Sequence, residues 1–130
     1  MTDAPAQTDS MFPRLDDAQI ERLASIGARR HVEPGEIVFD LGSEDHGMFI
    51  VLQGSIEIVS VSHGEEAVLR VLERGQFTGE VNQLSGRRSL VRCRAREASE
   101  LLELGRTCLR EIMQTDVALG EMFLRAFALY

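Results

Sequence analysis

Apolar positions in this chain change their spacing twice. Around 16–27 they recur at helical intervals, with Ile20, Leu23, Ala24 and Gly27 on one stripe. Asp16 stands where an N-cap belongs, Gln19 follows three residues on, and Leu15 and Ile20 take the staple positions, so a helix opens here. From Arg29 to Leu104 the spacing falls to two. Segments 37–39, 48–52, 56–61 and 67–72 read as strands, and two more, 89–95 and 99–104, follow an interruption over 79–86. Pro34-Gly35, Gly42-Ser43, Gln53-Gly54, His63-Gly64 and Arg74-Gly75 mark turns between them. Many short strands with regular turns imply a β-sandwich or barrel, closed to hide its edges.

Helical spacing returns over 107–114. Thr115 or Asp116 then caps a last helix that carries Val117, Met122, Phe123, Phe127 and Leu129. Neither a C′ glycine nor a proline follows before Tyr130. The reading is a polar 1–10 that does not order, then a domain over 11–130 whose final helix continues in a longer protein. Its apolar residues exceed what one short helix buries against a barrel of this size, which predicts a second domain or a second copy of the chain packed on it.

Composition narrows the function. The chain has 130 residues, enough for one domain, with 44% apolar and 27% charged positions. A net charge of −7 argues against binding nucleic acid through this domain. The longest uncharged run, 46–56, contains His, Gln, Ser and two Gly, so no segment is expected to span a membrane. No secretory leader opens the chain, and two cysteines, Cys93 and Cys108, are too few for a disulfide scaffold; a reducing cytoplasm is the expected location. Cys93 is expected to be an inert inward thiol, while Cys108 lies near Arg106 and Arg110. His31, His46 and His63 are scattered without a His-x-His and Glu cluster, and no triad or P-loop is present, so an enzyme is not expected. All 14 basic residues are Arg, and Arg87, Arg88, Arg92, Arg94 and Arg96 crowd into one short stretch.

Three motifs carry a family resemblance. Pro34-Gly35-Glu36-Ile37-Val38-Phe39, Met48-Phe49-Ile50-Val51-Leu52-Gln53-Gly54 and Gly75-Gln76-Phe77-Thr78-Gly79-Glu80 resemble, in order and spacing, the motifs of cyclic-nucleotide-binding domains. These are the sensors of catabolite-activator-like transcription factors, cyclic-nucleotide-gated channels and cAMP-dependent kinases. The resemblance implies a mainly β fold: an eight-stranded jelly roll (a double-stranded β-helix, cupin-like in architecture) with an N-terminal helix and two C-terminal helices. It implies a ligand cassette of Gly79, Glu80, Val81 and Asn82, then Arg87, Arg88, Ser89, Leu90 and Val91, with Ile58 and Leu69 at its walls. The chemistry is simple. Gly79 allows close backbone approach, and a short helix after it aims free N–H groups at a phosphate. Glu80 accepts from a ribose hydroxyl, and an Arg on the next strand neutralises the phosphate.

At that Arg the sequence departs from the family. In an ungapped count the phosphate Arg falls on Ser89, and a position that is usually small falls on Val91. Alternation turns Ser89, Val91, Cys93 and Ala95 inward and Leu90, Arg92, Arg94 and Arg96 outward. A one-residue shift at Ser85-Gly86 would bring Arg88 to the pocket. Asn82 and Gln83 also replace residues that are typically small or apolar. Three readings therefore stand: a cyclic nucleotide held through Arg87 or Arg88, another small anion or nucleotide, or no ligand.

The stretch Gly79-Glu80-Val81-Asn82-Gln83-Leu84-Ser85-Gly86-Arg87, with Leu124-Arg125-Ala126-Phe127, is similar to sensor domains fused ahead of bacterial thioredoxin-reductase-like flavoproteins. That implies no cofactor in this domain, a downstream effector domain using FAD and NADPH, and occupancy relayed through the last helix. The alternatives are a ligand-free docking or dimerisation module, and the sensor of a transcription regulator, which would need a helix-turn-helix beyond Tyr130.

Overall fold

The computed structural model describes residues 14–42, 47–78 and 90–127, the side chains of residues 124, 126 and 127 excepted. Helix α1 (Asp17–Ala24) precedes eight strands: β1 (Ala28–Val32), β2 (Ile37–Phe39), β3 (Met48–Gln53), β4 (Ser55–Ser62), β5 (Glu65–Glu73), β6 (Phe77–Thr78), β7 (Arg92–Ala95) and β8 (Ser99–Leu104). Helices α2 (Arg106–Thr115) and α3 (Val117–Phe127) follow. The strands form two antiparallel four-stranded sheets, β1-β8-β3-β6 and β2-β7-β4-β5, which is the mainly β jelly roll with one leading and two trailing helices.

Local chemistry sets the ends of these elements. Asp16 accepts the Gln19 amide at 2.8 Å, and the Gln19 side chain accepts the Asp16 amide at 2.9 Å, a capping box that opens α1. Leu15 and Ile20, the staple pair, are both buried. β4 and β5 are joined by His63 and Gly64 at φ 53° and 80°. Two left-handed residues give a turn whose twist matches the strands it joins. Gly54, at φ +90°, is tighter still: a Cβ there would lie 2.7 Å from the Ala98 carbonyl.

Two cores result. Between the sheets lie Val32, Phe39, Phe49, Val51, Ile56, Ile58, Leu72, Cys93, Ala95 and Leu101. On the other face of the β1-β8-β3-β6 sheet, Met48, Ile50, Phe77, Leu102 and Leu104 meet Ile20 and Leu23 of α1, Leu109 and Ile112 of α2, and Leu119 and Phe123 of α3. Here one expectation is corrected. Phe123 is fully buried on the protein's own barrel, edge-on to Phe77 with ring centroids 5.2 Å apart, and Met122 is partly buried against the same core. These two need no partner, because two helices share the sheet face and α3 takes the part that α2 leaves bare. Phe127, Leu129 and Tyr130 lie outside the residues whose side chains are described.

Candidate functional site

The described chain stops at Thr78 in one sheet and resumes at Leu90, just before β7 of the other. Phe77 and Thr78 of β6 pair with Ile50 and Phe49 of β3, while Arg92 and Cys93 of β7 pair with Val59 and Ile58 of β4. Gly79, Glu80, Val81, Asn82, Arg87, Arg88 and Ser89 lie outside the described residues. Their flanks are described: Thr78 is buried opposite Phe49, and Val91 packs partly buried against the intersheet core. Leu90 is 84% exposed.

Among the wall positions, Ile58 is buried in the intersheet core, facing Cys93 on one side. On its other side the register breaks. Ile58 pairs with Arg70 and Val59 with Val68, so Leu69 is the extra residue of a β-bulge. Leu69 is 56% exposed. The inner-face place opposite Ile58 therefore belongs to Arg70 rather than Leu69, which corrects the expected phase of β5. A bulge moves every residue beyond it to the other face, and nothing in the local pattern of Glu66, Ala67, Val68 and Leu69 announces one. Arg70 is partly buried, with its Nε and Nη1 atoms shielded from solvent. Thr78 and Arg70 are polar inner-face residues that sequence reasoning missed. Parity with Phe49 and Ile58 was the available signal, once the pairing was known.

A second arginine approaches from the opposite sheet. Arg30 pairs with Leu101 on the inner face, and its guanidinium lies 5.7 Å from the centre of the Phe49 ring. Its Nη2 is 3.8 Å from Glu36 Oε2.

The outward arginines have a different job. Arg92 Nε bonds Asp40 at 2.8 Å and its Nη1 bonds Glu66 at 2.7 Å. Arg94 bonds Glu57 through Nη2 at 2.7 Å and Glu66 through Nη1 at 2.9 Å. The two guanidinium groups tie β7 to β4, β5 and the end of β2. Hydrogen bonds from Arg92 hold the Asp40 carboxyl below its ordinary range, and those from Arg94, then Arg92, do the same for Glu66. The partners of the arginine stripe are thus the chain's own acids.

Burial pushes the Cys93 thiol up to about 12, consistent with an inert inward position. Cys108 is half-buried on α2. Hydrogen bonds to Glu100 and Glu33 raise the pKa of His31 on β1. Among the described residues no group of three or more His, Cys, Asp and Glu side chains could hold a metal ion, and no helix is long and apolar enough to cross a membrane.

Comparison with known proteins gives one consistent answer. A family profile described as "Cyclic nucleotide-binding domain" matches residues 29–116. The potassium channel AKT6 of Arabidopsis thaliana is 33% identical over 114 residues, covering 88% of this chain and 13% of that protein. The potassium channel AKT1 of Oryza sativa subsp. japonica is 28% identical over 114 residues, again 88% of this chain and 12% of the channel. The chain therefore spans only a small part of these curated relatives. The c-di-GMP-responsive regulator CLP of Xanthomonas campestris superposes with a TM-score of 0.75 at 26% identity, covering 88% of this chain and 56% of that one. The Thermus thermophilus catabolite activator protein, at 23% identity and a TM-score of 0.74, covers 92% and 55% and shares the fold.

Proposed function

This chain belongs to the cyclic nucleotide-binding domain family, and from that premise we propose that it is a regulatory sensor for a cyclic nucleotide or another small phosphate-bearing anion. The observation that carries the reading is where segment 79–89 is anchored. Thr78 at one end and Val91 at the other both face the intersheet core, one from each sheet. The residues proposed to hold the ligand are Gly79, Glu80, Val81, Asn82, Arg87, Arg88, Ser89, Leu90 and Val91, with Ile58 of the intersheet core. Glu80 accepts from the sugar hydroxyls, and backbone N–H groups and an Arg face the phosphate.

Occupancy is relayed through α3 to an attached effector domain. Support comes from the small share of the channel relatives that this chain spans, which fits a module serving a larger protein. The effector is a thioredoxin-reductase-like flavoenzyme carrying FAD and NADPH, a reading that rests on the 79–87 stretch and Leu124-Arg125-Ala126-Phe127. A second reading, the sensor of a transcription regulator, is favoured by the likeness to CLP. Docking or dimerisation through the last helix without a ligand is the alternative to sensing, and among the described side chains of α3 Val117, 71% exposed, is apolar surface for it.

Titration calorimetry with cAMP and cGMP tests the proposal. Saturable binding that Glu80→Ala weakens about tenfold or more supports it. Absence of saturation at millimolar ligand contradicts it and favours the docking module.

A further inference from the structure

We propose that a second copy of this chain docks on the groove beside α1, in a two-fold arrangement that sets Glu21 of each copy against Arg29 of the other. The contact is separate from ligand binding. The groove has a volume of about 470 Å³. Ile20 and Leu52 line it and are buried, and Ala24 is half-buried beside them. α1 adds Asp17, Ala18 and Glu21, β1 adds Arg29, and the turn after β5 adds Arg74.

The charges around this groove are unevenly satisfied. α1 carries three charged residues, Asp17, Glu21 and Arg22. Asp17 accepts from Arg74 Nη2 at 3.0 Å, within the groove lining, and Arg22 bonds Asp116 at the break between α2 and α3. Glu21 and Arg29 are exposed and, among the described residues, have no hydrogen-bond or ion-pair partner. One acid and one base on the same surface are thus left over. A two-fold axis satisfies both at once, because an isologous interface sets residue i against j and j against i.

Their order along the groove suits such an axis. The Asp17–Arg74 pair marks the first end of α1. Arg29 stands just past the last end, at the start of β1, on the helix-packed face of the sheet that its register partner Leu102 shares. Ala24 therefore lies between Glu21 and Arg29. Two copies laid antiparallel with the axis at Ala24 make the Glu21–Arg29 contact twice and leave each Asp17–Arg74 pair at the rim. The methyl side chain of Ala24 lets the two helices approach closely there, since interaxial distance follows the side chains at the contact. Ile20 and Leu52 are buried already, so docking covers mainly Ala18 and the aliphatic stems of Glu21, Arg29 and Arg74. That makes a small, polar, reversible interface, whose sign of charge decides whether it forms.

Sedimentation equilibrium of the whole chain, over a concentration series reaching the submillimolar range, tests the proposal. The samples are wild type, Glu21→Arg, Arg29→Glu, the double variant, and an equimolar mixture of the two single variants. Wild type should show a reversible monomer–dimer equilibrium. Each single variant sets like charges together at both symmetry-related contacts and should weaken dimerisation about tenfold or more. The double variant restores both pairs with their signs reversed and should recover wild-type association. So should the mixture, in which one copy presents two acids and the other two bases; this arm separates a contact between copies from one within a chain. Thermal melts of all variants should stay close to wild type, as both side chains are exposed. A wild type that stays monomeric overturns the proposal. A dimer that both single variants leave intact also overturns it, and places the contact elsewhere, the last helix included. Weakened single variants without recovery in the double variant and the mixture overturn it too, since Glu21 and Arg29 would then not face each other.

Discussion

Arg22 Nε lies 2.6 Å from Asp116 Oδ2, which joins α1 to the break between α2 and α3. The other oxygen of the same carboxylate accepts the Leu119 amide at 3.1 Å, so Asp116 also caps α3. One side chain therefore sets where the last helix starts and what it rests against. Asp116→Ala should destabilise the chain by about 1–2 kcal/mol, most of it from the lost cap. Asp116→Asn keeps the cap and loses the charge, and should cost less than about 1 kcal/mol because the Arg22 side chain is half exposed. Urea unfolding of both variants, alone and with Arg22→Ala, separates the two contributions.

Phe123 should be intolerant of truncation. It is fully buried against Phe77 and the α1 and α2 side chains, so Phe123→Ala should cost about 3–5 kcal/mol. Denaturant midpoints measure this; a loss below about 1 kcal/mol would mean that α3 does not pack on its own barrel.

Stability should respond to pH in two separate windows. Asp40 and Glu66 have folded pKa values held below their ordinary 3.8 and 4.5 by Arg92 and Arg94. Their contribution is present above those ordinary values and is lost as pH falls through the folded ones. Glu66→Gln should flatten the acid limb. His31 works in the opposite sense. Hydrogen bonds to Glu100 and Glu33 raise it above 6.5, so its contribution is full below 6.5 and disappears as pH rises through the folded value. His31→Asn should remove the pH dependence that sets in above 6.5 and leave the acid limb alone. Melting temperatures across pH 3–9 read both.

The two cysteines should differ in reactivity. With its thiol pushed to about 12 and no solvent exposure, Cys93 should not react with a disulfide reagent near pH 8 while the chain is folded. Cys108, half-buried on α2, should react within minutes. One fast thiol by absorbance titration, and two after denaturation, is the expected count.

Much of this molecule is legible in its sequence because the signals are local. The capping box at Asp16 and Gln19, the His63-Gly64 hairpin and the alternation of Val91, Cys93 and Ala95 each need only a few neighbouring residues. The cap of α3 is legible in the same way as Thr115 or Asp116, and the structure gives the role to Asp116. The arginine partners were not readable, since Asp40, Glu57 and Glu66 stand 26 to 52 positions from the residues they bind. Arg70 escaped for a related reason. It lies two positions before the buried Leu72 and shares its face, but the bulge at Leu69, which breaks the alternation toward Val68, exists only in the pairing of β5 with β4. Phe123 was misread because an apolar helix face looks the same whether its cover is the chain's own sheet or another molecule.

The relay from ligand to α3 is the central claim, and backbone amide hydrogen exchange with and without saturating cAMP tests it most directly. Slowed exchange is expected at Phe77, Thr78 and Val91, the described residues flanking 79–89, together with altered exchange across Val117–Phe127. Unchanged exchange in α3, with protection confined to the anchors, would leave a binding domain that does not signal through this helix. No change anywhere on adding cAMP would contradict the account as a whole.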